Sequence, residues 1–339
     1  MKNVKKVKQV TLLAVGGVII AVGVLWLCFG EKIKILYTSL NSFKDENLAH
    51  TFQHTPEIQP TKKISKGADT FQFVEEENIA LADGFSYEGT FYPTQKFMED
   101  TKTSAMLVVK DDVIKYEKYF FGGDKNTLFS SNSMGKSFVL ALMGTPAMNV
   151  IAKYGMQEEP YTYRRYLSIN TEILGQVIKN ATGCGLAEYM EEKLWKKIGV
   201  DHDAYWTLSN GTELAMGGLS VSLRDYARFA RLYLHEGSYR GEQILTKEWV
   251  KDSMDVSAEY SKPGANQDDY NAIGYGYQWW VPEGDQGEFM AIGVYGQWIY
   301  VNPQKQVIIV KTNADPDFMS KGYEQKHIEF FRAIADGIL

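Results

Sequence analysis

Short runs of apolar residues at two distant places in the chain predict the strands of a single sheet. Residues 106–110 and 113–119 flank Asp111-Asp112, a two-residue hairpin signal, and predict two antiparallel strands. Near the C-terminus the same pattern returns, and three further strands are predicted at residues 289–294, 298–301 and 307–311. Strands from both ends of the chain are therefore expected to meet in one antiparallel sheet.

The region between these strands, and the C-terminal end, follow the 3.6-residue period of helices. Gly183 and Gly199 stop the first two helical patterns, and residues 222–225 resemble a capping box before the third. The predicted helices cover residues 170–180, 186–198, 226–234 and 323–339. This order predicts an α/β (α+β) fold, in which an antiparallel β-sheet is flanked by terminal helices and carries a helical insert.

The first 70 residues differ from the rest in their pattern. Residues 10–30 form an uncharged apolar run, preceded by four lysines, which predicts an uncleaved bilayer-spanning helix with a cytoplasmic N-terminus. The run is long for a signal peptide, and no small-x-small cleavage site lies near Cys28. Residues 32–70 are polar and show no sustained period. The predicted organisation is a basic stub and transmembrane anchor at 1–31, a polar linker at 32–70 and one domain at 71–339.

Composition narrows the class of partner. The 339 residues are 45% hydrophobic and 23% charged, as in ordinary globular proteins, and the net charge of -6 argues against a nucleic-acid partner. Cys28 and Cys184 are too few for a disulfide framework. His50 and His54 have helical i, i+4 spacing but lack the glutamate and third ligand of a zinc site. No metal or organic cofactor is expected.

Candidate chemistry concentrates in residues 128–138, where three patterns compete. Gly135-Lys136-Ser137 has the tail of a phosphate-binding loop, but Ser130 replaces its first glycine. No buried strand is predicted before it either, because residues 121–126 have a turn composition. Ser131-x-Ser133-x-Gly135 half-resembles the nucleophile elbow, yet Ser131 replaces the glycine that allows the strained turn. Both patterns are therefore incomplete: the first lacks its leading glycine and a preceding strand, and the second lacks the glycine of the strained turn.

The third pattern, Ser133-x-x-Lys136 before an apolar helix, lacks nothing. Residues three apart on a helix are neighbours, so the Lys136 amine can reach the Ser133 hydroxyl. Partial burial and the helix N-terminus both disfavour an ammonium, which biases the lysine toward a neutral amine that can take the serine proton. The alternative is that Ser130 or Ser131 caps the helix and Lys136 is solvated. This spacing should also occur about once by chance in a chain of this length.

Tyr166, Ser168 and Asn170 precede a predicted helix, so their side chains could project into a cleft. A tyrosine beside a serine–lysine pair can pass a proton to the leaving group, and an asparagine can orient the lysine or a substrate carbonyl. From these residues alone, helix capping by Asn170 and Thr171 is the simpler interpretation.

Five short motifs occur together in a fixed order, at residues 133–137, 166–170, 217–229, 274–280 and 293–297. In this order the chain resembles the β-lactamase-related serine hydrolases, and within them the branch of nylon-oligomer hydrolases and their esterase relatives. The resemblance spans roughly residues 100–318. It implies a β-lactamase/transpeptidase-like fold, with Ser133 as nucleophile, Lys136 as general base and Tyr166 as proton relay.

The resemblance also implies that residues 293–297 lie on the edge strand beside the site. Asn170, Tyr295, Gly296 and Gln297 would then contact the substrate, and the backbone N–H groups of Ser133 and Gln297 would form the oxyanion hole. The family carries a Lys/His-Thr/Ser-Gly triplet here, whereas this chain has Val294-Tyr295-Gly296. A cationic carboxylate-binding group is therefore missing, and efficient recognition of β-lactams or peptidoglycan is not expected.

The chain departs from the family pattern in one connection. Only 32 residues separate Ser133 from Tyr166, several tens fewer than is usual, which predicts a reduced helical subdomain. The favoured hypothesis is a serine hydrolase anchored in a bacterial inner membrane, with its domain outside the cytoplasm, which cleaves a small ester or amide. The alternative is a catalytically impaired penicillin-binding-like protein that binds an envelope or cell-wall partner.

Overall fold

The computed structural model describes residues 41–145, 162–265 and 273–338. The chain divides into two units, Met1–Asn47 and Leu48–Leu339. The described part of the first unit contains the short 3₁₀ turn Asp45–Asn47, in which the Asn47 side chain donates to the carbonyl of Asn41. All other elements belong to the second unit.

The strands of the described residues are β1 Thr61–Ile64, β2 Val74–Glu75, β3 Gly84–Tyr87, β4 Thr90–Pro93, β5 Thr103–Lys110, β6 Val113–Tyr119, β7 Leu128–Ser130, β8 Ala204–Ser209, β9 Thr212–Glu213, β10 Leu219–Ser222, β11 Ser238–Tyr239, β12 Glu242–Gln243, β13 Gly274–Tyr275, β14 Trp280–Val281, β15 Phe289–Gly293, β16 Gln297–Asn302 and β17 Val307–Asn313. The α-helices are α1 Leu48–Gln53, α2 Thr55–Ile58, α3 Thr94–Asp100, α4 Lys136–Met143, α5 Ser168–Thr182, α6 Leu186–Met190, α7 Leu223–Leu234, α8 Lys247–Ser253 and α9 Tyr323–Gly337.

The main sheet has eight strands in the order β13-β14-β15-β16-β17-β5-β6-β2. Strand β17 pairs with β5 from Val307↔Lys110 onward, so strands from distant parts of the chain meet in one sheet, as the apolar runs predicted. All pairings are antiparallel except that of β2 with β6. The predicted fold class, an antiparallel sheet combined with helices in a β-lactamase/transpeptidase-like arrangement, is confirmed.

The period of two along the central strands places apolar side chains on both faces of the main sheet. Leu107, Ile299 and Ile308 face the cluster that contains helices α4 and α7. Their neighbours Val108 and Ile309 face the other cluster, with α3 and α9. Full burial of such side chains stabilises the fold by about 1.5–3 kcal/mol each, so both layers of helices are held to the sheet.

Local signals in the sequence place several element ends. Asp111 and Asp112 have φ of 50° and 64°, the left-handed values that a two-residue hairpin of type I′ requires. Helix α5 ends at Gly183, whose φ is 75°. The Ser222 hydroxyl accepts a hydrogen bond from the Asp225 N–H at 3.2 Å, which caps α7 as predicted.

A second, smaller sheet is absent from the sequence-based prediction. It has the order β1-β8-β10-β7, with β9 beside β8. Strand β7 leads directly into the candidate stretch, although no strand was predicted there. The polar residues 48–64, expected to be part of a linker, form α1, α2 and β1. These elements are short and only partly apolar, so their periodicity is weak and only tertiary pairing reveals them.

The predicted inner-membrane location, with one transmembrane pass, is contradicted. No helix in the described ranges combines the length and the apolar character that crossing a bilayer requires. The prediction depended on the hydropathy of residues 10–30, which lie outside the described residues.

Candidate active site

The serine and the lysine of the Ser-x-x-Lys pattern are in direct contact. A 3₁₀ turn, Asn132–Gly135, carries Ser133 and runs into α4, which begins at Lys136. The Lys136 amine lies 2.6 Å from the Ser133 hydroxyl oxygen, and only 2% of Lys136 is exposed. No side-chain cap bond is made by Ser131. Lys136 is therefore a buried partner of Ser133 and not the solvated residue of the capping alternative.

The surroundings of Lys136 favour its neutral form. Burial lowers the pKa of the amine to about 8, although the nearby negative charge of Glu172 opposes the shift. No carboxylate of the described residues forms a salt bridge with Lys136. A large fraction of the amine is consequently unprotonated at mildly alkaline pH, which is the state that can accept the serine proton.

Tyr166 completes the predicted trio. Its ring centroid lies 5.1 Å from the Lys136 amine. The distances from it to the ring centroids of Tyr275 and Trp280 are 5.5 and 5.3 Å. Burial raises the pKa of the phenol, and hydrogen bonding with the hydroxyls of Ser133 and Ser168 partly offsets this. Ser133, Lys136 and a neutral, proton-bearing Tyr166 are thus brought together, with Ser168 as a further hydroxyl at the phenol.

The motif at residues 274–280 builds the wall behind Tyr166. Gln278 has a φ of 58°, and its carbonyl accepts a hydrogen bond from the Ser137 hydroxyl at 2.7 Å. Its side-chain oxygen accepts another from the Tyr275 hydroxyl at 2.8 Å. The motif therefore ties helix α4, which carries Lys136, to an aromatic residue that packs against Tyr166.

Two glycines enclose the turn that carries Ser133. A Cβ at Gly217 would lie 2.6 Å from the carbonyl oxygen of Asn132. A Cβ at Gly293 would lie 2.5 Å from the carbonyl oxygen of Ser131. Asn132 itself has a φ of 46° and donates through its side chain to the Val294 carbonyl at 3.1 Å. The turn that carries Ser133 is therefore fixed by backbone contacts that no residue larger than glycine would allow at these two positions.

We expect Gly293→Ala to lower kcat/KM about 100-fold, because the new methyl group must displace the Ser133 turn, and misplacement by about 1 Å is enough for such a loss. Steady-state kinetics together with thermal unfolding would test this. Gly337→Ala is the matched control, since its new Cβ would come no closer than 3.8 Å to Ala82. Activity of Gly293→Ala within about threefold of the wild type would contradict the close contact.

Three other predicted contact residues, Tyr295, Gly296 and Gln297, are not among the residues that line the cavity beside Ser133. The Gln297 side chain is fully buried and donates to the carbonyls of Tyr295 and Asn313 at 3.3 and 2.8 Å. The Tyr295 ring packs against Phe318, and Gly296 lies against Asn313. All three lie at the turn and at the start of β16 in the β15–β16 hairpin, where Gln297 pairs with Gly293.

Asn170 is exposed in the first turn of α5 and does not line the cavity beside Ser133. Strand β15 ends at Gly293, and it is Gly293 and Val294 that border this cavity. The sequence motif predicted that this hairpin lies beside the site, but it did not show which residues of the hairpin border the cavity.

The cavity beside Ser133 has a volume of about 240 Å³. Among the described residues that line it, one is acidic, Glu324 in the first turn of α9, and sequence reasoning missed this residue. The helical pattern of residues 323–339 predicted the helix but could not show that its N-terminus meets the site. The remaining polar lining includes Ser133, and aromatic rings form much of the wall, from Tyr166, Trp280, Trp298, Phe318 and Tyr323.

Comparisons with known proteins agree with this arrangement. The family model described as Beta-lactamase matches residues 144–328, just over half of the chain. The 6-aminohexanoate-dimer hydrolase of Paenarthrobacter ureafaciens is 30% identical over 158 residues, which cover 45% of this chain and 40% of that protein. The chain thus spans less than half the length of this relative. The family match begins after Lys136, so the candidate roles of Ser133 and Lys136 rest on their geometry.

Solved structures support the fold. A candidate 6-aminohexanoate-dimer hydrolase from Bacillus anthracis has a TM-score of 0.72 at 23% identity, covering 87% of this chain and 95% of that one. A candidate beta-lactamase from Bacteroides dorei has a TM-score of 0.55 at 15% identity, covering 71% and 96%. At these identities the likeness concerns the fold alone. Together with the family match, it shows that the chain belongs to the beta-lactamase family of serine hydrolases.

Proposed function

We propose that this protein cleaves an ester or linear amide bond through an acyl-enzyme on Ser133. The observation that carries the proposal is the 2.6 Å contact between the Ser133 hydroxyl and the buried Lys136 amine. A serine is a weak nucleophile at its ordinary pKa and needs an adjacent base, and an amine with a pKa of about 8 can act as one near neutral pH.

In the proposed mechanism the neutral Lys136 amine takes the proton of Ser133 as its oxygen attacks the substrate carbonyl. Tyr166 then passes a proton to the leaving alcohol or amine, and the acyl-enzyme forms. A water molecule, deprotonated by the same base, attacks the ester carbonyl of this intermediate and releases the acid and free Ser133. The proton that Lys136 took from Ser133 reaches the leaving group through Tyr166, whose ring centroid lies 5.1 Å from the Lys136 amine, and this step returns the amine to its neutral form.

We assign the oxyanion hole to the backbone N–H groups of Ser133 and Val294, instead of Ser133 and Gln297. Both residues border the cavity, and neither N–H donates to a carbonyl within the described parts of the chain. Gly293 packs its backbone directly against the Ser133 turn, which brings the start of the β15–β16 loop to the nucleophile. Two such donors would stabilise the charge that develops on the substrate oxygen.

The substrate class follows from two observations. The relative from Paenarthrobacter is named a hydrolase of a linear amide dimer, which favours a linear amide or ester over a β-lactam. Among the described residues that line the cavity there is no lysine, arginine or histidine, so none of them would give a carboxylate-bearing substrate a cationic partner. The alternative of a catalytically impaired envelope-binding protein depended on the short connection before Tyr166, and residues 146–161 of it lie outside the described residues.

The pH dependence of kcat/KM tests the role of Lys136. Because the active form is the neutral amine, kcat/KM should rise with pH, about tenfold per unit at low pH, and level off above a pKa near 8. Initial rates on an activated ester, corrected for spontaneous hydrolysis in each buffer, would measure the profile. A profile that is flat or falls between about pH 6 and 9, while the protein stays folded, would contradict a lysine base.

A further inference from the structure

Glu324 places an unpaired carboxylate in the cavity that holds Ser133. It lies in the first turn of α9 and is half-buried. Among the described residues, its carboxylate forms no salt bridge, and the backbone hydrogen bond that acts on it comes from its own residue. Burial raises its pKa to about 7. A carboxylate that is desolvated in this way gains most from a ligand that brings a positive charge.

The walls around Glu324 have the chemistry that binds cations. The negative faces of aromatic rings attract an ammonium group, and this attraction strengthens when the site is desolvated. Rings of Trp280, Trp298, Phe318 and Tyr323 line the same cavity as Glu324. Aromatic rings combined with one carboxylate can recognise an ammonium, whereas they offer little to a neutral chain beyond apolar contact.

The charge in this cavity is negative, whereas the family's Lys/His-Thr/Ser-Gly triplet would place a positive charge beside the site. Residues 294–296 lack the cationic member of that triplet, and the part of the cavity lining that the structure describes contains an acid and no base. The Lys136 amine is engaged by the Ser133 hydroxyl and is 2% exposed, so it offers little charge to a bound ligand. A substrate carboxylate would meet Glu324 without compensation.

We propose that the substrate carries an ammonium or other cationic group, which binds between Glu324 and the aromatic walls while its ester or amide carbonyl lies at Ser133. Glu324 is then a specificity-determining residue. This inference rests on the proposed hydrolase function and adds the charge of the substrate to it.

The test uses pairs of esters that have the same shape and differ only in charge. In one pair the acyl chain ends in trimethylammonium or in tert-butyl, and in the other the alcohol is choline or its uncharged carbon isostere. The ratio of kcat/KM for the charged ester to that for the neutral one is measured for the wild type, Glu324→Gln and Glu329→Gln. Glu329 is the matched control because it lies on the same helix, pairs with Arg332 and does not line the cavity.

The expected result is a wild-type preference for the charged ester in at least one pair, which falls about tenfold or more in Glu324→Gln and is unchanged in Glu329→Gln. The neutral ester should be turned over equally well by the wild type and Glu329→Gln. Ratios that are the same in the wild type and Glu324→Gln for both pairs would overturn the inference, and so would rejection of both charged esters.

These outcomes separate the inference from the function on which it rests. Turnover of neutral esters that depends on Ser133, without any effect of Glu324 on charge preference, leaves the hydrolase proposal intact and removes the cationic substrate. Absence of Ser133-dependent turnover of every ester, including straight-chain neutral ones, removes the hydrolase proposal itself.

Discussion

Ser133→Ala is expected to lower kcat/KM for ester hydrolysis by about 10⁴-fold or more, because the variant has no oxygen that can form the acyl-enzyme. The residual rate would come from binding and from the N–H donors of the oxyanion hole, which the substitution leaves in place. The hydroxyl interacts with Lys136 and Tyr166, and neither residue depends on it for burial. The variant should therefore fold with a melting temperature close to that of the wild type.

The matched control is Ser130→Ala, three residues earlier in β7. Ser130 is buried, and among the described contacts its hydroxyl does not touch Lys136. It should retain most of the activity. Ser133→Ala with activity within about tenfold of the wild type would exclude Ser133 as the nucleophile.

Lys136→Met should produce the second large effect, a loss of about 10³-fold in kcat/KM together with a gain in stability. Methionine has a similar length but cannot accept the serine proton, so the general base is removed. The same change removes the cost of burying an amine. The pKa of Lys136 falls from 10.5 to about 8 on folding, which corresponds to about 3 kcal/mol of unfavourable free energy at pH 7.

The size of this stability difference depends on pH in a defined way. Below about pH 8 the folded protein must bury a charged amine or lose a proton that the unfolded chain keeps, so the wild type is at its greatest disadvantage there. Between about pH 8 and 10.5 the unfolded chain binds more protons, and the stability of the wild type rises with pH. Denaturant unfolding of both proteins across this range would measure it. Near-normal activity in Lys136→Met would contradict the assignment of the base.

Much of the fold was within reach of the sequence, because its strongest signals are local. Asp111-Asp112 fixes a hairpin, Gly183 ends a helix, and the continuous apolar runs in β16 and β17 mark buried strands. The small sheet could not be predicted from such local signals. Its strands β7 and β10 have three and four residues, and their pairing joins parts of the chain that are about ninety residues apart.

For the same reason, only part of the candidate site could be predicted from the sequence. The spacing of Ser133 and Lys136 encodes their contact, because three residues at a helix start bring side chains together. Gly293 packs against the Ser131 carbonyl, and this contact determines which part of the hairpin faces Ser133. No rule based on sequence spacing predicts such a contact. The position of Glu324 depends on where a helix from the far end of the chain meets the sheet. Sequence reasoning therefore found the proposed nucleophile and base but not the wall that we propose selects the substrate.

The most direct measurement of the central claim is labelling of the folded full-length protein with a fluorophosphonate, followed by intact mass and peptide mapping. Such probes react with a serine oxygen only when a neighbouring base activates it. A single adduct on Ser133, absent from Ser133→Ala and strongly slowed in Lys136→Met, is the predicted result. Two results would contradict an activated nucleophile at Ser133. One is the absence of an adduct on protein that a thermal unfolding transition shows to be folded, and the other is an adduct that persists in Ser133→Ala.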